Sequence, residues 1–522
     1  MRQLRFFGLG LMLLGIAGGP AAAQTTKPGA PLPGQSPRTA EQLRRQARQD
    51  YPSGPLGAPA LVTRPVALAD TGRVFGLADL LTYVTLRHPV ARQAALLPER
   101  ALQEVRLARG QFDPMATSKY YGKALGGKEY FHDWDTQLRV PLWFGADLKA
   151  GYERGTGAFI NPENSTARAG LSYLGISVPL AQGLLIDERR AAVRQARALQ
   201  GLAEAERRGA LNKLQLQAAK DYWDWTLSYQ RQELLRQNAE LAEVRLQAVR
   251  ERVRYGDLAA IDSVEALTEL QNRQAQLVQA RVQWQNATLQ LSNYLWDEQQ
   301  QPRELPVGVR PQPLPGPAGW VPLPADSLAA LTELARQLHP ELQKSRAKLV
   351  QLGLERRLLT NKLLPKLTLD YNILQAGQPF SPETSASFQG TYLQNNYKLG
   401  ASFAYPLLLR QERAKLQLNR LKLRDTELDL QQDTRAIDLG VRTVANDWEA
   451  LREQLALQEQ VVLNAGRLRQ GEQIRFENGE SSVFLLNTRE ASLVSARVKL
   501  AELQAKYAQT QATLRWAAGG VD

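Results

Sequence analysis

The mature part of this 522-residue chain is written twice. His88-Pro89, inside "RHPVARQAALLPERALQEVRLARGQFDP", returns as His339-Pro340 in "QLHPELQKSRAKLVQLGLERRLLTNKLLPKL". The strand-like piece "LSYLGISVPL" (171–180) returns as "LGASFAYPLL" (399–408), and each runs into a long helical stretch. "RVRYGDLAAID" (252–262) returns as "RFENGESSVFL" (475–485), so that Gly256 matches Gly479. The order is the same each time: helix, strands, very long helix, glycine turn, helix. The offset is about 220–250 residues, far above the 20–50 of solenoid repeats. One domain-sized unit has been duplicated and fused, and the fold must give both copies equivalent surroundings.

The N-terminus bears on the compartment. Arg2 and Arg5 precede the apolar run Phe6–Ala17, Gly18-Gly19-Pro20 breaks it, and Ala21-Ala22-Ala23 offers an A-x-A cleavage site. Residues 1–23 therefore read as a signal peptide, with Gln24 as the first mature residue. The run is too short to span a bilayer as a helix. No other stretch approaches a transmembrane helix, so membrane residence would have to be through β-strands. The chain has no cysteine, which excludes disulfides and a lipid-modified N-terminal cysteine. The net charge is +13, or +11 without Arg2 and Arg5. Its Lys and Arg are interspersed with Glu and Gln along helices rather than clustered, and no aromatic-basic interleaving accompanies them. Nucleic acid is not an expected partner.

Residues 24–70 are rich in Pro, Gly, Gln and Ala and read as a disordered extension. The first repeat occupies 71–300. Its opening helix, Leu77 to Arg109, ends at Asp113-Pro114. From about 115 to 180 the period falls to two: "TSKYYGK", "DTQLRVPLW", "ADLKAGYERG" and "LSYLGISVPL" alternate polar with apolar or aromatic residues. Glycines and the "NPENST" turn (161–166) punctuate them. Alternation with aromatic edges fits a membrane β-barrel, and Tyr120, Tyr121, Trp134, Trp143, Phe144, Tyr152 and Tyr173 belong in or near it. The second repeat, 326–518, has a shorter version at about 365–408, with an exposed loop expected at 375–396. A Pro-rich linker, 301–325, separates the repeats.

Long helices follow the strands, at about 186–255 and 409–478. Each run of about 70 residues lacks proline and would be roughly 100 Å long. Apolar residues recur in sevens, as in Leu227, Leu234, Leu241, Ala248 and Tyr255, or Trp448, Leu455 and Val462, a coiled-coil-like seam. The glycine turns Tyr255-Gly256-Asp257 and Asn478-Gly479-Glu480 reverse the chain into returning helices. They therefore lie at the end of the molecule remote from the strands. Asp262 and Glu265 follow the first turn on one helical face. As acids opening a helix they favour its dipole; as copies around an axis they would narrow a pore with negative charge.

Nothing in the chain spells catalysis. Gly122-Lys-Ala-Leu-Gly-Gly127-Lys128-Glu129 nearly matches a phosphate loop, but Glu129 stands where Ser or Thr must hold the metal, and no helix follows. It reads as a hairpin loop. His88, His132 and His339 lack metal-ligand spacing. No catalytic residue, cofactor or metal is expected, and the chain does not read as an enzyme.

In this order, and twice over, the "HP" helix openings, the "VPL" and "YPL" strand-to-helix junctions (Val178–Leu180, Tyr405–Leu407) and the "RYGD…ID" and "RFENGE…F" turns resemble the TolC family of outer-membrane efflux channels. The resemblance covers about residues 74–517. It implies a mostly helical protein with a transmembrane β-barrel: a homotrimer whose strands, usually four per chain, share one barrel in outer-membrane lipid. A trimeric α-helical barrel would cross the periplasm. It further implies a passive conduit of a tripartite efflux or type I secretion-like system, closed at its periplasmic tip and opened by an adaptor coupled to an inner-membrane pump. Two departures stand out. Leu485 and Thr488 occupy second-repeat positions that are acidic in family members with a described gate, so an acidic constriction would rest on Asp262 and Glu265. The first-repeat strand region is also long enough for an extra hairpin. The competing reading is a soluble periplasmic coiled-coil scaffold or adaptor, which would need neither alternating strands nor the duplication.

Overall fold

The computed structural model describes residues 74–306, 308–377 and 396–520. The segments expected as signal peptide (1–23) and extension (24–70), and most of the loop expected at 375–396, lie outside the described residues.

The opening helix of each repeat is broken in two at its His-Pro. Helices α1 (Leu77–Arg87) and α2 (Pro89–Arg109) meet at His88; α5 (Ala325–Leu338) and α6 (Pro340–Asn361) meet at His339. Proline biases the preceding residue away from the helical region and suits the first position of the next helix. The histidine then caps that helix. Nδ1 of His88 accepts from the Val90 N–H at 3.2 Å, and Nδ1 of His339 from the Glu341 N–H at 3.4 Å. Burial lowers the pKa of both rings, which keeps Nδ1 free to accept. The duplicated motif is therefore an N-cap, with the imidazole in place of the usual Ser or Asp.

Strands β2 (Met115–Leu125), β3 (Lys128–Pro141), β4 (Asp147–Thr156) and β5 (Leu171–Pro179) come from the first repeat, and β7 (Lys366–Ala376) and β8 (Tyr397–Ala404) from the second. They form one antiparallel sheet in the order β2-β3-β4-β5-β7-β8. Among the described residues the chain contributes six strands to this sheet, rather than the four that the family resemblance implies. The longer first-repeat region supplies the additional pair. The phosphate-loop look-alike is the β2–β3 turn, with Gly126 and Gly127 at φ of 61° and 77°.

Register partners share a face, and the two faces differ. One carries Tyr120, Trp134, Leu138, Leu148, Leu174, Tyr397, Leu399 and Phe403, all exposed large apolar side chains. The other carries Asp135, Gln137, Arg139, Lys149, Asp370 and Lys398, with a Lys149–Asp370 ion pair at 2.7 Å. An apolar outside and polar inside is the arrangement of a membrane barrel wall. Of the seven expected aromatic residues, Tyr120, Tyr121, Trp134, Tyr152 and Tyr173 lie on these strands, and Trp143 and Phe144 in the β3–β4 turn.

Below the sheet run the long helices α3 (Glu188–Arg254, 67 residues) and α7 (Arg410–Glu477, 68 residues). Each is about 100 Å long at 1.5 Å per residue. Asp187 caps α3, accepting from the Arg190 N–H at 2.8 Å, and Arg189 reaches Asp147 of β4 at 2.7 Å, pinning helix to strand. Helices α4 (Ala260–Ser292) and α8 (Val483–Ala517) return antiparallel. Near mid-height each half has an aromatic core: Tyr222, Trp223 and Trp225 with Leu80 and Leu295, and Trp448 and Tyr507 with Leu331 and Leu455. The Pro-rich 301–325 stretch packs into both: Leu305, Val309 and Leu314 into the first, Trp320 and Leu323 against the second. β1 (Val74–Phe75) pairs in parallel with β6 (Arg310–Pro311). Among the described residues no helix is long and apolar enough to cross a membrane.

Candidate functional site

The site begins at the two glycine turns. Gly256 and Gly479 have φ of 82° and 79°, a region that residues with a Cβ occupy reluctantly. Each completes a Schellman motif. In the first, Gly256 N–H donates to Val253 O at 3.1 Å and Asp257 N–H to Arg252 O at 2.9 Å; in the second, Gly479 donates to Phe476 O at 3.1 Å and Glu480 to Arg475 O at 2.8 Å. The same four residue positions make the same bonds twice. Tyr255 and Asn478 are the matching C-caps.

The helices that restart are capped differently. In α4 the Asp262 carboxylate accepts from the Ala259 N–H at 3.1 Å. In α8 the Ser482 hydroxyl accepts from the Leu485 N–H at 3.3 Å. Serine meets the need of the helix start in the second repeat, so the position matching Asp262 is free to be Leu485. The helix-start reading of Asp262 thus has a direct hydrogen bond behind it. Glu265 has no comparable backbone role. Partial burial, and then the neighbouring charges of Asp262 and Glu269, raise its carboxyl pKa. Glu265 and Glu269 share a groove of about 560 Å³ between α4 and α8, with Phe484, Thr488 and Ser492 across it. The tip itself is apolar beneath: Leu246, Val249, Leu270, Phe476, Val483 and Leu486 form a buried layer.

Above that layer lies a cluster that sequence reasoning did not single out. Glu490 of α8 is 2 % exposed. Its carboxylate receives Arg245 of α3 (2.5 Å, and a shorter second contact), Arg273 of α4 (3.1 Å) and Arg469 of α7 (3.3 Å). Arg273 also reaches Glu269 at 2.7 Å and Asn238 Oδ1 at 3.0 Å. One carboxylate thus ties together all four tip helices of the chain. Burial alone would raise its pKa, but hydrogen bonds and charge from Arg245 and Arg273 outweigh that and hold it below the ordinary value. A signal was present in the sequence: Glu490 follows Val483 and Leu486 and precedes Leu493 at seam spacing, an acid in an apolar stripe. Among the described residues no group of three or more His, Asp or Glu is placed to hold a metal ion.

Comparison with known proteins agrees with this anatomy. The chain is similar in structure to the CmeC outer membrane channel of Campylobacter jejuni, with 14 % identity over 85 % of either chain and a TM-score of 0.58. It is likewise similar to MtrE of Neisseria gonorrhoeae in its open state, with 16 % identity, 85 % of this chain and 89 % of that one covered, and a TM-score of 0.60. VceC of Vibrio cholerae gives 15 % identity, 85 % and 96 % coverage, and a TM-score of 0.58. No curated protein sequence matches. The family model for outer membrane efflux protein matches residues 144–295 and 331–520, taking in both repeats and both glycine turns. The chain, a two-faced sheet continued by helical hairpins about 100 Å long, belongs to the outer membrane efflux protein family and is an outer-membrane efflux channel with a periplasmic helical domain.

Proposed function

We propose that the channel works as a homotrimer, a passive conduit whose periplasmic end is formed by the Gly256 and Gly479 turns. The observation that carries this reading is the sheet. It has an apolar face, a polar face and, among the described residues, unpaired outer edges on β2 and β8. An open edge cannot face lipid, so copies must complete the wall. The barrel and helices would then enclose one continuous lumen. The tip presents Tyr255, Ile261 and Phe484 as exposed apolar side chains, a surface suited to a periplasmic adaptor that couples the channel to an inner-membrane pump. Residues 1–23 serve as the cleaved signal and 24–70 as an extension preceding the first repeat.

In this reading Asp262 and Glu265, three copies of each, make the entrance negative and favour cations and basic cargo. Native mass measurement in detergent tests the assembly: a stable monomer or dimer would refute it. Converting Asp262 to Asn and Glu265 to Gln tests the entrance in planar bilayers. Cation preference should fall with assembly intact; an unchanged preference would leave these acids as helix-start residues alone. Crosslinking from cysteines placed at Tyr255 and Asn478, in a chain without native cysteine, should capture the adaptor.

A further inference from the structure

We propose that the hairpin β2–β3 is part of the barrel wall, so that the assembled exit has eighteen strands and its bore is wide enough for a compact polypeptide segment. The inference rests on the trimer reading above and adds the strand number per copy, the lumen width and the class of cargo.

Four observations carry it. First, β2 and β3, at 11 and 14 residues, are long enough to cross a bilayer, and they pair continuously from Met115–Arg139 to Leu125–Lys128 with one irregularity at Lys123/Ala124. Second, β3 is joined to β4 along ten residue pairs, from His132–Thr156 to Pro141–Asp147, so the hairpin extends the sheet rather than folding away from it. Third, large apolar side chains recur on one face across the hairpin, with Ser118, His132 and Thr136 between them. Tyr120, Trp134 and Leu138 are exposed on the same side as Leu148, Leu174, Leu399 and Phe403. A hairpin outside the membrane would gain nothing from that arrangement, whereas a wall strand needs it. Fourth, six strands cannot close by themselves, since the smallest membrane barrels have about eight, and among the described residues the two edges left over are β2 and β8.

Three copies of six strands make eighteen. With strands about 4.8 Å apart and tilted about 40°, the backbone diameter is about 36 Å, against about 24 Å if only β4, β5, β7 and β8 lined the wall. Side chains reaching about 5 Å inward from each wall leave a bore of roughly 26 Å or 14 Å respectively. Two packed helices, each about 10 Å across, pass the first and not the second. The polar face is built to stay low. A Cβ at Gly151 would lie 2.3 Å from the Tyr173 ring, and one at Gly175 1.9 Å from Asn372 Oδ1. These side chains lie along the wall over glycines instead of projecting into the lumen.

Paired cysteines distinguish the two closures, because the chain has no cysteine of its own. Leu399→Cys or Ala401→Cys on β8 is combined with Ala116→Cys or Ser118→Cys on β2, or with Leu148→Cys or Ala150→Cys on β4. Closure by β2 predicts that only β8–β2 pairs yield covalent trimers on a denaturing gel. Electron-microscopy averages of the unmodified trimer, viewed down the axis, should show a ring about 36 Å across. Covalent trimers from β8–β4 pairs, or a ring near 24 Å, would overturn the eighteen-strand wall while leaving the trimeric channel standing. Should no pair react, the ring width decides alone. A copy number other than three would overturn the trimer reading, and this inference with it.

Discussion

Glu490→Gln removes the single negative charge that Arg245, Arg273 and Arg469 share, while keeping the shape of the side chain. The site is almost sealed: Glu490 and Arg273 are each 2 % exposed, and the Arg245 side chain 9 %. Breaking a buried pair by deleting one partner costs about 3–5 kcal/mol, because the remaining charges stay desolvated and unpaired. Arg273 keeps Glu269 and Asn238, and among the described residues Arg245 keeps the Asn487 oxygen at 3.1 Å, so the loss should fall in that range for each copy. At about 2–4 °C per kcal/mol for a large domain, the midpoint of thermal unfolding should drop by roughly 6–20 °C. The same residue gives a pH test. Its pKa in the folded chain lies below the ordinary 4.5, so the unfolded chain binds more protons just below that value. Its stabilisation is fully present above pH 4.5 and is lost as pH falls through the folded-state value. The Gln variant should therefore show a weaker loss of midpoint than the parent on acidification below 4.5. Arg469, 30 % exposed and 3.3 Å away, provides the internal contrast: Arg469→Gln should cost under about 1 kcal/mol. Circular dichroism at 222 nm over a pH series measures all of these. A Glu490→Gln variant melting within about 1 °C of the parent at pH 7 would refute the claim that this cluster holds the tip helices together.

Gly256→Ala and Gly479→Ala should each cost about 1–2 kcal/mol in chemical unfolding. A Cβ at either meets nothing within 4 Å, so the cost is backbone strain alone; neutral substitutions would contradict the left-handed turns. Leu138→Arg, on the lipid face, should reduce assembled channel in outer-membrane fractions by about 2–4 kcal/mol of insertion energy. Its neighbour Gln137→Arg, on the lumen face, should not, and equal yields would undo the assignment of faces. His339→Ala should lose about 1 kcal/mol as a cap is lost, with His339→Asn recovering most of it. Burial lowers the pKa of His339 below 6.5. Its contribution is therefore whole above pH 6.5 and declines beneath, and the Ala variant should lack that decline.

What the sequence determined by itself was everything carried by local period and by the duplication. Absence of proline over 186–255 and 409–478 is enough for two very long helices, because each backbone bond is closed within the helix. A residue able to take positive φ at Gly256 and Gly479 is enough for the reversals. Alternation over 115–180 is enough for strands, since successive side chains point to opposite faces. Asp262 was visible as an acid at a helix start, but its bond to the Ala259 N–H depends on backbone placement around the turn. The tertiary structure alone decided how the strands align. The placement of β3 against β4, and so six strands instead of four, depends on pairing and register, and a slip of one residue would exchange the two faces. It also decided the partners of Glu490. Three arginines on three other helices, as distant in sequence as 245 and 490, converge on it only once the hairpins dock side by side. Seam spacing marks an acid as buried, but only packing names the charges that compensate it, because desolvation is a property of the assembled surroundings and not of the chain.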